Sequence, residues 1–287
     1  MDEAPPDASI DEAVLRLRRA REPVPELEAD RALARLRSTL FGEPARPRML
    51  DRYPLLERLG QGGSGVVYLA HDPRLDRKVA IKLLSRSLDP RQRSRQAGAR
   101  LLREAQAMAR SPHPNVVAVY DVGTCPAEPG GDETVFIVME YVPGPTLEQW
   151  LRTSRSWREV LDVFVQAGRG LVAAHRVGVI HRDFKPANAI VGDPCVRVLD
   201  FGLAREVQRG AWAALDTLTD AHVTLEPGGD SLRTEEGAVI GTPVYMAPEQ
   251  HAGEPADAAT DQYGFCVALW EGLYGLRPFK GRSLGDL

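Results

Sequence analysis

His181-Arg182-Asp183-Phe184-Lys185-Pro186-Ala187-Asn188, followed by Asp200-Phe201-Gly202, sets out a carboxylate, an ammonium, a carboxamide and a second carboxylate in one short stretch. That set suits the movement of a phosphoryl group. Asp183 can accept a proton from a hydroxyl while Lys185 neutralises charge on the group in flight. Asn188 and Asp200 offer hard oxygen ligands of the kind Mg²⁺ takes. Ala189-Ile190-Val191 and Val196-Arg197-Val198-Leu199 read as two short strands joined by a turn at Gly192-Asp193-Pro194, which predicts a hairpin holding Asn188 and Asp200 at adjacent strand ends.

On these residues the chain resembles the eukaryotic-type protein kinases: HRDFKPAN looks like their catalytic loop and DFG like their metal-binding motif. The role assignments that follow come with the resemblance. Phe184 stands where the common pattern has Leu, another apolar packing residue. Lys185 resembles the serine/threonine rather than the tyrosine branch. The resemblance implies an α+β, two-lobed fold: an N-lobe of a five-stranded antiparallel sheet plus helix C, and a mostly helical C-lobe.

Composition admits this. A chain of 287 residues with 43% hydrophobic and 26% charged residues can bury the core of one two-lobed domain or of two small domains. A net charge of -4 gives no basis for a nucleic-acid or anionic-membrane partner. Cys125, Cys195 and Cys266 are few and far apart, which suits a reducing compartment and offers neither a disulfide framework nor a zinc site. No apolar run reaches membrane-spanning length. A cytoplasmic location is expected.

Residues 1–48 read as a charged, Pro-punctuated extension, helical or disordered, with apolar positions at Ile10, Val14, Leu15 and Leu17 and again at Leu27, Ala34, Leu36 and Leu40. The kinase domain is expected over 53–287, with an N-lobe at 53–140, a hinge at 140–145 and a partial C-lobe at 146–287. In Gly60-Gln61-Gly62-Gly63-Ser64-Gly65 the GxGxxG pattern is weak alone and could open a dinucleotide-binding fold. Here Val66 to Ala70 read as a second strand, which favours a hairpin over phosphates. Gly60, Gly62 and Gly65 would let backbone amides approach phosphate oxygens. Val79-Ala80-Ile81-Lys82 is an apolar strand ending in a lysine that needs a partner if buried. The resemblance supplies one: Glu104, in a helix-forming segment from Arg91 to Arg110, would pair with Lys82 and fix it on the α- and β-phosphates.

Val116 to Val122 and Val135 to Met139 read as two further strands. The resemblance makes Glu140-Tyr141-Val142 the hinge whose backbone binds adenine, Met139 the residue guarding the back pocket, and Val67 and Ala80 further contacts to the nucleotide. Leu147 to Leu151 and Trp157 to Arg176 are expected helices, and His175 and His181 packed core histidines. Glu206 to Asp230 reads as a mobile loop in which Trp212, Leu215 and Leu218 give one helical turn. Gly241-Thr242-Pro243-Val244-Tyr245-Met246-Ala247-Pro248-Glu249-Gln250 resembles the substrate-facing run of bacterial serine/threonine kinases and separates the chain from small-molecule phosphotransferases. Thr242 would bridge Asp183 and Lys185. Asp261 would accept hydrogen bonds from the catalytic-loop backbone, in a helix from Asp261 to Tyr274. An arginine partner for Glu249 and further helices are expected beyond Leu287, which makes the C-lobe incomplete.

The expected activity is therefore transfer of the γ-phosphoryl of ATP, with Mg²⁺ (Mn²⁺ as the alternative ion), to Ser/Thr hydroxyls of protein substrates, with autophosphorylation in signal transduction. Asp183, Lys185, Lys82 and Glu104 form the catalytic set, and Asn188 and Asp200 the metal ligands. Arg182 is expected to receive a phosphorylated Thr234, Glu236 to supply a standing negative charge, and a transient homodimer to phosphorylate in trans. The alternative is a poorly active fragment or pseudokinase that binds nucleotide or a partner.

Overall fold

The computed structural model describes residues 48–62, 65–84, 103–109, 111–126, 133–201, 223–225, 232–234, 239–240 and 243–279. An antiparallel sheet of six strands carries the first part of the chain: β1 (Met49–Leu50), β2 (Tyr53–Gly62), β3 (Gly65–Asp72), β4 (Arg77–Leu84), β5 (Val119–Pro126) and β6 (Glu133–Glu140), in the order β1-β2-β3-β4-β6-β5. The sequence reading had five strands. The sixth is β1, only two residues long, paired antiparallel with β2 across a turn in which Asp51 takes φ 51°. The sheet thus begins at Met49, ahead of the expected boundary at 53. β5 also starts later than expected, because Val116 makes a parallel bridge to Val198 instead.

The predicted Gly-rich hairpin is present, with β2 and β3 paired from Leu55↔Ala70 to Gly62↔Gly65 and the register shifting between Leu55 and Glu57 and between Arg58 and Gly60. Gly65 takes φ +140°, and a Cβ there would stand 1.9 Å from the Leu83 carbonyl oxygen, so only glycine lets β3 start this close to β4. A helix α1 is described over 103–109, within the segment expected to be helical.

The remainder is built on α2 (Leu147–Leu151) and α3 (Trp157–Arg176), both with the predicted bounds. Thr146 with Gln149, and Ser156 with Glu159, form capping boxes that satisfy the first free amides of each helix. The hairpin of β7 (Ala189–Val191) and β8 (Val196–Val198) pairs as read, Ala189 against Val198. The helix α5 (Ala258–Tyr274) begins three residues earlier than expected, because the Asp257 side chain caps the Ala259 and Thr260 amides. Phe164, Leu171, Phe184, Val198, Phe201 and Val267 pack into one core that wedges α3, α5 and the β7–β8 hairpin under the catalytic loop.

Between that hairpin and the short α4 (Pro248–His251), three strands form a small antiparallel sheet, β11-β10-β9, made of β9 (Val223–Leu225), β10 (Leu232–Thr234) and β11 (Val239–Ile240). The sequence reading had a loop over the first of these. Val223-Thr224 in β9 and Val239-Ile240 in β11 are β-branched pairs, which favour extended pairing over an open segment. The expectations for residues 1–47, for Trp212, Leu215 and Leu218, and for Glu236 and Thr242 lie outside the described residues. Among the described residues no helix is long and apolar enough to cross a membrane.

Candidate active site

Asp261 anchors the catalytic loop. Its carboxylate is almost fully buried on α5 and accepts the backbone N–H of His181 at 2.7 Å and of Arg182 at 2.6 Å. His175 Nε2 lies 2.6 Å from the same group, which accounts for that histidine structurally. With its amide turned onto Asp261, Arg182 sits at φ 65°; Asp200, at the other end of the site, sits at φ 55°. Left-handed backbone at residues other than glycine costs energy and persists where surrounding contacts over-determine it. Here those contacts are Asp261 below and the β8 end beside Asp200.

His181 ties the two motifs together. Its ring is fully buried, tilted against Phe201 at 4.8 Å and edge-on to Phe184 at 5.8 Å between centroids. Nδ1 accepts the Asp183 N–H at 3.3 Å, so the proton is on Nε2, which donates to the Leu199 carbonyl at 2.7 Å. Burial holds the imidazole below its ordinary pKa against the opposing pull of Asp261 and Asp183, and the neutral tautomer is the one both hydrogen bonds require.

On this base the chemical side chains converge. Lys185 Nζ is 3.0 Å from Asp183 Oδ2. Asn188 Nδ2 donates to the Asp183 carbonyl at 2.8 Å and to Asp183 Oδ2 at 3.2 Å. The Leu199 N–H donates to the Asn188 carbonyl at 2.8 Å, which sets Asn188 beside the residue preceding Asp200. Sequence reasoning missed Gln250, whose Nε2 donates to the Arg182 carbonyl at 2.8 Å and ties the start of α4 to the loop. Its position directly after Ala-Pro-Glu was the signal available.

The expected Lys82–Glu104 pair is replaced by two others. Lys82, with a side chain only 4% exposed, places Nζ 2.8 Å from Asp200 Oδ2. Glu104 Oε1 lies 3.3 Å from Arg182 Nη1. A buried ammonium must have a carboxylate, and Asp200 meets that need from within the site. Glu104 answers the Arg182 guanidinium, so Arg182 already faces a carboxylate in this arrangement. Thr234, its expected phosphorylated partner, lies in β10 opposite Val223.

Several residues expected on the nucleotide side lie near one another. Ala80 and Met139 are buried in one apolar cluster, with Val67, Val142 and Leu199 packed against it. β4 sets Lys82 opposite Val67 on one neighbour, and Ala80 opposite Met139 on the other. Behind them lies a mostly apolar cavity whose walls include Met139, Met108 and Phe201, with Lys82 and Asp200 as its charged edge. At the hinge the Glu140 N–H is committed to the Ala118 carbonyl at 2.8 Å, and its carboxylate lies 3.3 Å from Arg197 Nε. Glu249, for which an arginine beyond Leu287 was expected, accepts a hydrogen bond from Thr260 Oγ1 at 2.5 Å.

A family model described as the protein kinase domain matches residues 53–285. The chain belongs to the protein kinase family. It is 41% identical over 236 residues to the serine/threonine-protein kinase PknB of Mycolicibacterium smegmatis, covering 81% of this chain and 34% of that protein. It is 39% identical over 236 residues to the serine/threonine-protein kinase PknB of Mycobacterium tuberculosis, with the same shares covered. The chain thus spans about a third of the length of these curated relatives. The crystal structure of the M. tuberculosis PknI kinase domain superposes with a TM-score of 0.58, at 23% identity over 85% of this chain and 84% of that one, a likeness of fold. The kinase assignment made on HRDFKPAN and DFG, and the two-lobed fold it implied, stand on these matches.

Proposed function

We propose that the chain transfers the γ-phosphoryl of Mg-ATP to Ser or Thr hydroxyls of protein substrates. The observation that carries this reading is the hydrogen-bonded unit of Asp183, Lys185 and Asn188, with Asp183 Oδ2 within 3.2 Å of both cationic and amide nitrogens. Asp183 orients the acceptor hydroxyl and takes its proton. Lys185 offsets charge on the transferring group, and Lys82 steadies the remaining phosphates. Because such transfer rests on positioning and electrostatics, a loop fixed from beneath by Asp261 and His181 is the expected support.

The residues fit the nucleotide and its ion. A Cβ on Gly60 or on Gly62 would meet nothing within 4 Å, so packing within the protein does not call for glycine there, whereas close approach of phosphates does. Among the described residues no three His, Cys, Asp or Glu side chains form a metal cluster. Mg²⁺ is held by one or two protein oxygens plus substrate phosphates and water. Asn188 and Asp200 would hold it; when bound, the ion neutralises phosphate charge. Asn188 directs its amide nitrogen to Asp183, which leaves its carbonyl oxygen as the ligand atom.

Regulation by phosphorylation belongs to the same proposal. A phosphate on Thr234, transferred in trans by a second copy in a transient dimer, would compete with Glu104 for Arg182, and Glu236 would supply a weaker standing charge. The second reading, a nucleotide-binding protein with little turnover, is favoured by one observation: the Asp200 carboxylate is engaged by Lys82. ADP formation with a generic protein substrate, compared between the chain and Asp200→Ala, separates the two. The proposal expects turnover that Asp200→Ala abolishes; ATP binding without any Asp200-dependent ADP would establish the second reading.

A further inference from the structure

One cluster of charge lies outside the cleft, where α3 meets the β7–β8 hairpin. Two contacts mark the seam. Gln166 Oε1 accepts the Val196 N–H at 3.1 Å, and Gly170 comes so near the Asn115 carbonyl that a Cβ would stand 2.4 Å from its oxygen. Helical spacing then puts Arg169 and Arg176, three and ten residues after Gln166, two turns apart along the same side. Both are exposed, and among the described residues neither forms an ion pair.

The turn carrying His113 crosses this seam, and Arg197 reaches it from β8. The Asn115 N–H donates to His113 Nδ1 at 3.1 Å, while the Arg197 guanidinium donates to the Pro114 carbonyl. Burial, and after it the positive charge of Arg176, Arg169 and Arg197, depresses the His113 imidazole. Glu140 offsets only Arg197. Asp162, the next carboxylate along this side of α3, lies about 10 Å from Arg169 by helical rise and accepts from Gln166 Nε2 instead.

The chain contains a segment of the opposite sign. Residues 1–12 hold Asp2, Glu3, Asp7, Asp11 and Glu12 and no lysine or arginine. A stretch as long as residues 13–47 can span up to on the order of 100 Å, so sequence distance does not keep the two apart. Tethering would also make the encounter intramolecular, which raises the local concentration of the segment. We propose that the acidic segment 1–12 docks in cis on Arg169, Arg176 and Arg197 beside His113. Guanidinium forks bind carboxylates in two-point fashion, and several acids in a short segment match several forks along the seam. Because Arg197 also holds Glu140, the docked segment would sit directly behind the hinge.

Photo-crosslinking tests this in the full chain. With a photoreactive residue in place of Ala8, cross-links mapped by mass spectrometry are expected on the His113–Asn115 turn and on α3 between Arg169 and Arg176. Their yield should fall roughly tenfold in Arg169→Glu with Arg176→Glu, and likewise at about 1 M salt, where the screening length is about 3 Å. Adding Asp7→Lys, Asp11→Lys and Glu12→Lys to the arginine reversals should restore it. Arg169→Gln with Arg176→Gln, at exposed positions, gives the same reading if the reversals disturb folding. Cross-links elsewhere, a yield indifferent to both arginines, or links found only between isotopically distinct copies in a mixed sample would each overturn cis docking.

Discussion

Residues 181–188 hold their charged side chains on a backbone fixed by Asp261, His181 and Asn188, whereas across the cleft Lys82 and Glu104 take their places through ion pairs to Asp200 and Arg182. The first region is built from groups adjacent in sequence and one buried carboxylate aimed at two amides. The second joins elements more than seventy residues apart, since Glu104 and Arg182 are separated by 78 positions. In the second region each cation faces a carboxylate carried by a distant element, so which carboxylate it meets is decided by the tertiary arrangement rather than by the local sequence. Asp261 has no stand-in, because an amide stripped of its acceptor in a buried loop has nowhere else to turn.

The comparison predicts that the fixed region is the less forgiving. Asp183→Asn should lower kcat by roughly 10²–10⁴, the usual scale for losing an acid–base group, with ATP affinity nearly unchanged. Steady-state kinetics alongside nucleotide titration checks it, and retained turnover in a folded variant would remove Asp183 from the chemistry. Next in size, Asp261→Ala leaves two buried amides unsatisfied and should cost about 2–5 kcal/mol in denaturant unfolding. A loss below about 1 kcal/mol would mean the loop is held by other means.

The second region is sharpened by a double-mutant cycle. Without nucleotide, Lys82→Met and Asp200→Ala should couple by about 1–3 kcal/mol in stability, while Lys82→Met and Glu104→Gln stay additive within about 0.5 kcal/mol. The reverse ranking would place Lys82 on Glu104 in solution. The smallest effect is in pH. His181 has its folded pKa depressed below the ordinary value near 6.5, so its contribution to stability is complete above that value and declines as pH falls below it. Melting temperature followed from pH 8 downward should therefore show an acid-side loss that begins near 6.5 and is reduced in His181→Phe.

Most of the fixed region was legible before the structure. The catalytic loop, the β7–β8 hairpin and the bounds of α2 and α3 follow from local patterns, and the Thr146–Gln149 and Ser156–Glu159 boxes explain why those two helices start where the sequence says. What escaped the sequence depends on partner choice or on very short pairing. β1 is two residues long and has no periodicity to read. The β9–β11 sheet consists of strands of two or three residues whose pairing is decided across connections rather than within them. Lys82 demanded a carboxylate by burial alone, but burial does not say which one. The hydrogen bond from Thr260 Oγ1 to Glu249 likewise joins two helices, and no local pattern in the sequence announces it.

The central claim is transfer of a phosphoryl group to Ser or Thr through Asp183, and phosphoamino-acid analysis tests it most directly. The chain and its Asp183→Asn variant are incubated with γ-labelled ATP, Mg²⁺ and a generic protein substrate, and the labelled residues are identified after hydrolysis. The account predicts label on phosphoserine and phosphothreonine, made by the chain and nearly absent with the variant. Equal labelling by both, or label confined to phosphotyrosine, would contradict it.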